Sequence, residues 1–345
     1  MKALVLQQYN HLEYQDVPDP RAGPEDVLIQ VKACGVCGSD VHGMDGSTGR
    51  RIPPVIMGHE AAGVIVATGA EVAGWHIGDR VTFDSTIYCG KCYFCQRGAT
   101  NLCDNRRVLG VSCEEYRQDG AFADYVVVPQ HILYRLPDGL SFEQATMVEA
   151  LSIALHAVGR TPLTLNDTAL VVGSGMIGLL VIQALRVAGC GYVLAADLDQ
   201  TRLALARKLG ADEVFDPQSD DVVKRVRERT SGRGADATFE VVGMTPTLKL
   251  ATECVRKGGT LTLVGNLSPT TEFLLQSVVT RELTLYGSCG SRGEYPACLD
   301  MIARSAIQVA PMISAVAPVS EGASWFGRLH KREPGLMKVV LRPGT

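Results

Sequence analysis

Apolar positions along this chain follow two rhythms, and the change between them predicts its organisation. Up to about residue 140 the apolar runs are short and punctuated by Gly and Pro. Val27-Leu28-Ile29-Gln30-Val31-Lys32-Ala33 alternates with the two-residue period of a half-buried strand. Ala61–Ala67, Asp79–Phe83 and Ala123–Val128 read the same way, so this part predicts a β-rich domain. Leu136-Pro137-Asp138-Gly139 marks a turn, and Ser141–Gly159 then carries a helical period.

From Thr168 the rhythm becomes strand, helix, strand. Ala169–Val172 predicts a strand, Met176–Ala188 an apolar helix and Tyr192–Ala196 a second strand. Gln200–Leu209 predicts a helix with Arg202, Arg207 and Lys208 towards solvent. The alternation continues through Ala237–Val241, Leu248–Val255, Leu261–Val264 and Leu283–Tyr286. An α/β fold with a doubly wound parallel sheet follows. Met337–Leu341 predicts a closing strand that packs back onto the first domain. The expected division is residues 1–152, 153–289 and a return over 290–345.

Composition narrows the class. With 345 residues, 46% hydrophobic and 20% charged, the chain suits two globular domains rather than a disordered segment. A net charge of −4 gives no general attraction to nucleic acid or an anionic membrane. The opening Met1–Leu6 run is too short for a secretory signal. Thr168–Cys190, whose single charge is Arg186, is long enough to span a bilayer, but glycines interrupt its start and a strand–turn–helix accounts for it better. Eleven cysteines, several at metal-ligand spacing and with no signal before them, point to a reducing, cytoplasmic location.

Three motifs carry chemistry. Gly173-Ser174-Gly175-Met176-Ile177-Gly178 is a G-x-G-x-x-G run between a predicted strand and helix. Gly173 allows the tight turn, Gly175 lets a pyrophosphate approach the backbone, and Gly178 lets helix and sheet pack closely. The amides of Met176 and Ile177 open the helix, where free N–H groups favour phosphate. Asp197 ends the next strand, where an acid would accept bonds from ribose hydroxyls and repel a 2′-phosphate. With Asp199 nearby it favours NAD over NADP; Arg202 is the counter-feature, because it could flank the adenosine ribose or reach a phosphate. Secondly, Cys89, Cys92, Cys95 and Cys103 have the spacing of a closed, structural zinc site. The third set is dispersed: Cys37, His59, Glu60 and Glu149 offer one thiolate, one imidazole and two carboxylates, which suits zinc with a position left open. Spacing alone does not bring these four together.

At this point the chain resembles the zinc-containing medium-chain dehydrogenase/reductase family. Gly58-His59-Glu60-x₂-Gly63-x₅-Gly69-x₂-Val72 is similar to its zinc signature, and the cysteine loop, glycine turn and Asp197 follow in the family's order. The resemblance implies a GroES-like β-rich catalytic domain and a Rossmann domain. It also implies two zinc ions, NAD, a small-molecule alcohol or polyol substrate and a homodimer or homotetramer. Cys37, His59 and Glu149 fall at its catalytic-zinc positions, and Glu60 at one that binds zinc or exchanges with water. Val264, Gly265, Asn266, Ser288 and Cys289 are expected beside the nucleotide. A Glu at 149, where the family's alcohol dehydrogenases carry Cys, and the run Cys37-Gly38-Ser39-Asp40-Val41-His42 resemble the polyol branch. That branch implies hydride transfer between NAD and a secondary alcohol, with Ser39 taking the hydroxyl proton and His42 passing it to water. Threonine or simple alcohol dehydrogenation, and a non-catalytic nucleotide-binding relative, are the alternatives.

Two departures stand out. Sorbitol dehydrogenases carry Tyr after the His42 position and Arg in the loop after the last Rossmann strand; here Gly43 and Gly290 stand there, with Arg292 two residues on. A phosphorylated polyol needs a cation, for which Arg50, Arg51, Arg106, Arg107 and Arg292 are candidates, each expected as a solvated surface residue. Leu283–Tyr286 is the expected edge strand for subunit pairing. Cys34, Cys113, Cys190, Cys254, Cys289 and Cys298 are expected to serve packing.

Overall fold

The computed structural model describes residues 1–344, and these divide into two compact units. One comprises Met1–Glu149, Tyr295–Ser305 and the chain from Val309 onward; the other comprises Ala150–Glu294 and Ala306–Gln308. The units part a few residues from the expected 152/153 and 289/290 boundaries. The short return at Ala306–Gln308 has no local signature. It is held by Gln183, whose Nε2 donates to the Gln308 carbonyl at 3.1 Å and whose Oε1 accepts from the Gln308 amide at 2.7 Å.

The first unit is built on a seven-stranded sheet centred on Asp26–Gly35. This strand pairs antiparallel with Glu60–Thr68 on one side, and its C-terminal end meets Lys338–Arg342 on the other. Its alternating burial reflects the alternating sequence, with Val27, Ile29, Val31 and Ala33 inside. Phe122 and Phe326 meet edge-to-face at 5.7 Å within the same core. Gly35 is the crossing point, paired to Glu60 on one strand and Val340 on the other.

The second unit carries a six-stranded, wholly parallel sheet, in the order Glu213–Phe215, Tyr192–Ala196, Thr168–Val172, Ala235–Glu240, Val255–Leu263, Thr284–Gly287. Order reverses beside Thr168–Val172, the switch point at which doubly wound sheets hold nucleotides. Thr284–Gly287 is an edge strand, as the sequence predicts. Among the described residues, no helix is long and apolar enough to cross a membrane, and Thr168–Cys190 is the strand, turn and helix its glycines indicate.

The predicted helix Ser141–Gly159 is two helices. Ser141 and Gln144 cap a single turn, Phe142–Ala145, through a reciprocal capping box. The chain re-forms as Met147–Arg160, which carries Glu149 in its first turn.

Candidate metal and nucleotide sites

Residues from four segments of the first unit meet at the Gly35 crossing. Cys37 is the N-cap of a short helix, Gly38–Gly43, that also bears Ser39, Asp40 and His42. Glu60 opens the adjacent strand, Glu60–Thr68, and His59 immediately precedes it. The ligand atoms of Cys37, His59 and Glu60 lie within 4.8 Å of one another, with His59 and Glu60 buried. Glu149 stands beside this set rather than in it. It is half-buried, and its Oε1 accepts from Ser85 Oγ at 3.3 Å. Burial pushes the Glu149 carboxyl up; His59 draws it back, and Glu60 adds to the rise. A desolvated carboxyl next to a thiol, an imidazole and a second carboxylate is the donor chemistry that zinc with an open position requires.

The surroundings of this set include residues with no chemical signal in the sequence. Lys338, 2% exposed, donates to Glu60 Oε2 at 2.5 Å and to the Val36 carbonyl at 3.2 Å. Gly35 makes room for the pair, since a Cβ there would lie 2.5 Å from Glu60 Oε2 and 3.4 Å from Lys338 Cδ. Asp40, fully buried, has Oδ1 3.5 Å from His59 Nδ1, a ring nitrogen with no hydrogen bond of its own. A carboxylate behind a ligand imidazole fixes its ring and tautomer. Burial opposes the Asp40 charge, yet His59 and Arg51 hold its carboxyl far below the usual range. Arg51 is therefore not the solvated arginine expected; it is 4% exposed and paired to Asp40 at 2.8 Å. Tyr295 lies stacked on Tyr134 at 4.9 Å, and burial, Asp84 and Glu149 push its phenol well up.

Ser39 and His42 are exposed and three residues apart on the short helix, hence on one face. Arg50, Arg106 and Arg107 line a cavity of about 750 Å³ beside Cys89 and Cys103. Arg292 is exposed in the second unit.

Cys89, Cys92, Cys95 and Cys103 also converge within 4.8 Å. Cys103 Sγ accepts from the Cys89 and Asn105 amides at 3.3 Å each, and Asn105 Nδ2 reaches Cys89 Sγ at 3.7 Å. Donated N–H groups, that of Lys91 foremost, bring the Cys89 thiol down to about 6. Desolvation and the neighbouring thiols push Cys95 up to about 12. Four sulfurs this close shed their protons together only around a cation, so the cluster fits a closed zinc shell.

In the second unit, the C-terminal ends of the parallel strands bring the glycine turn, Asp197, Val264–Asn266 and Ser288–Cys289 to one edge of the sheet. Gly173 has φ +100°, and a Cβ on Gly178 would stand 1.9 Å from the Gly173 carbonyl oxygen, so both need glycine for the protein's own packing. At Gly175 a Cβ would meet no protein atom within 4 Å. Open space there, ahead of a helix with no side-chain cap, fits a phosphate. Asp197 accepts from the Ser174 amide at 2.6 Å and the Asp199 amide at 3.0 Å, which docks it against the glycine turn. Asp199 itself is a helix N-cap and is also 3.8 Å from Arg202. Cys289 is exposed rather than packed, whereas Cys34, Cys190, Cys254 and Cys298 are buried and Cys113 is half-buried.

A parallel nucleotide-type sheet together with a thiol–imidazole–carboxylate set fits a metal-dependent dehydrogenase. Residues 23–138 match the alcohol dehydrogenase GroES-like domain, and residues 177–304 match the zinc-binding dehydrogenase family. A sorbitol dehydrogenase from Halalkalibacterium halodurans is 36% identical over 351 residues, covering 99% of each chain. A D-arabitol-phosphate dehydrogenase from Enterococcus avium is 34% identical over 326 residues, covering 93% of this chain and 91% of its own. A zinc-binding dehydrogenase from Sinorhizobium meliloti 1021, solved with NADP bound, superposes with a TM-score of 0.91 at 32% identity over 99% of each chain. The chain belongs to the zinc-containing medium-chain dehydrogenase/reductase family, and is an oxidoreductase of the alcohol dehydrogenase type.

Proposed function

We propose that the chain oxidises a polyol or polyol phosphate to a ketose with NAD, using one catalytic and one structural zinc. The observation that carries this reading is Glu149, a half-buried carboxyl beside the Cys37–His59–Glu60 set where a simple alcohol dehydrogenase would place a thiol. Relatives that act on sorbitol and on a pentitol phosphate support it. Cys37, His59 and Glu60, with Glu149 beside them, would hold the catalytic ion; Cys89, Cys92, Cys95 and Cys103 would hold the other. When bound, zinc and the nicotinamide supply a Lewis acid and a hydride acceptor.

The protein's own residues do the rest. Ser39 accepts the proton of the substrate hydroxyl, and His42, exposed on the same helix face, passes it to solvent. Gly173, Gly175, Met176, Ile177 and Gly178 cradle the pyrophosphate. Asp197 accepts from the ribose hydroxyls and selects against a 2′-phosphate, which favours NAD although a structural relative binds NADP. Val264, Gly265, Asn266, Ser288 and Cys289 line the nicotinamide side, and Arg202 flanks the adenosine ribose. Pairing along Thr284–Gly287 makes a homo-oligomer, and free cysteines throughout suit a reducing cytoplasm.

Initial rates on polyols, polyol phosphates, simple alcohols and threonine, each with NAD and NADP, test the reading. Turnover of a polyol or its phosphate with NAD is expected. Turnover of threonine or simple alcohols alone would replace the substrate class, and no nucleotide reduction from a zinc-loaded chain would leave a binding protein.

A further inference from the structure

Arg51 touches both halves of the proposed chemistry. Its Nε and Nη2 donate to Asp40 Oδ1 at 3.2 and 2.8 Å. That same oxygen faces His59 Nδ1 at 3.5 Å. Nη2 also donates to Ser39 Oγ at 3.4 Å, and Nη1 donates to the Arg50 carbonyl at 2.9 Å. The guanidinium is a rigid planar fork, so its placement at one partner fixes its placement at the other. When Arg51 donates to Ser39 Oγ, the hydroxyl keeps its own proton and one lone pair free. It can then accept from a substrate hydroxyl while donating onward.

Gly43 explains why Arg51 can lie there. A Cβ at residue 43 would be 2.5 Å from Arg51 Cγ and 3.4 Å from Arg51 Cβ. Those atoms sit near the root of the side chain, so swinging its tip aside would not relieve the clash. The bare position 43, which departs from the sorbitol dehydrogenase pattern, is filled by Arg51 from eight residues further on. Both partners of the ion pair are almost fully buried, 4% and 0% exposed, so neither has water to replace the other.

We infer that Arg51 is a positioning residue that locks the His59 ring, through Asp40, and the Ser39 hydroxyl into one geometry, and that Gly43 is glycine to admit it. This rests on the reading of Cys37, His59 and Glu60 as metal ligands and of Ser39 as proton acceptor.

The test uses full-length Arg51→Lys, Gly43→Ala, Ser39→Ala and the Ser39→Ala/Arg51→Lys double variant. Arg51→Lys keeps a charge opposite Asp40 but cannot fork to Ser39. Gly43→Ala displaces Arg51 without removing its charge, and so serves if Arg51→Lys does not fold. Cobalt(II) placed in the catalytic site gives a visible spectrum that reports ligand geometry without turnover. Expected are a changed cobalt spectrum and faster metal loss to a chelator in Arg51→Lys and in Gly43→Ala. With the best polyol of the panel, kcat falls about 10- to 100-fold and KM for NAD is unchanged. In the Ser39→Ala background, Arg51→Lys is expected to cost much less in kcat than it does alone. An unaltered cobalt spectrum and kcat in both Arg51→Lys and Gly43→Ala would overturn the inference. So would fully multiplicative losses in the double variant, because Arg51 would then only neutralise Asp40. If Ser39→Ala and Cys37→Ala both keep full turnover, the proposed function fails instead, and the cobalt spectrum still decides the Arg51–Asp40–His59 link.

Discussion

Lys338 and Glu60, 278 residues apart in sequence, form a buried ion pair at 2.5 Å beside the candidate metal set. Lys338→Met would leave the Glu60 carboxylate buried without its partner. Removing one member of a buried pair costs about 3–5 kcal/mol. A markedly lower urea midpoint is expected, and an unchanged midpoint would show that Glu60 has another counter-charge.

The four-cysteine loop is expected to contribute to stability. Cys103→Ser removes the most buried sulfur of the four and the acceptor of two backbone amides. Elemental analysis should read one zinc per chain instead of the proposed two, with a lower Tm. Unchanged zinc content in this variant would exclude a four-sulfur site.

Asp197 should set nucleotide choice. Asp197→Ser removes the charge that repels a 2′-phosphate while leaving a small polar side chain against the glycine turn. The NADP:NAD ratio of kcat/KM is expected to rise about tenfold or more, equivalent to about 1.4 kcal/mol. A ratio that stays constant would move discrimination to Asp199 or Arg202.

His156 Nδ1 and Glu294 Oε1 meet at 2.7 Å within the second unit. Burial tends to raise the Glu294 carboxyl, but the His156 bond and the Arg292 amide lower it overall. A carboxyl depressed on folding contributes stability above its unfolded pKa and loses it as pH falls through the folded one. Glu294→Gln should therefore lower Tm most near neutral pH, and the gap to the wild type should narrow below about pH 4. An equal gap at every pH would assign the effect to packing.

The edge strand Thr284–Gly287 offers unpaired backbone groups. Alternation along the ladder turns the Ser288 amide inward to the Leu263 carbonyl and the Leu285 amide outward, so Leu285→Pro removes one outward donor and blocks regular pairing. Light scattering should give an oligomer for the wild type and a smaller particle for the variant. A wild-type mass equal to one chain would rule out the proposed assembly.

Local pattern carried much of this molecule. Alternation located Asp26–Gly35 and Glu60–Thr68, strand–turn–helix rhythm located the parallel sheet, and spacing located the cysteine cluster. Long-range pairing was not legible. Lys338 reads as an ordinary polar residue of a closing strand, and only the register that sets Val340 and Glu60 on either side of Gly35 brings it inside. Arg51 reads as a surface arginine because its carboxylate partner is eleven residues back and its clearance is provided by Gly43. Glu149 was legible as a candidate ligand by resemblance, but its place beside the set of three, bonded to Ser85, depends on how the helix starting at Met147 enters the site.

The strand bearing Lys338 also has a consequence for biogenesis. A ribosome releases Cys37, His59 and Glu60 roughly 280 residues before it makes Lys338, on the order of 15–60 s earlier at usual elongation rates. Until then Gly35 has a neighbouring strand on one side only, and Glu60 has no lysine. The nascent first unit thus waits, with one side of its central strand open at the Cys34–Gly35 end, for the second unit to be made in between. Metal capture at the Cys37 set before chain release would have to occur in this incomplete form, whereas the four-cysteine loop is complete by residue 103 and can close while most of the protein is still unmade.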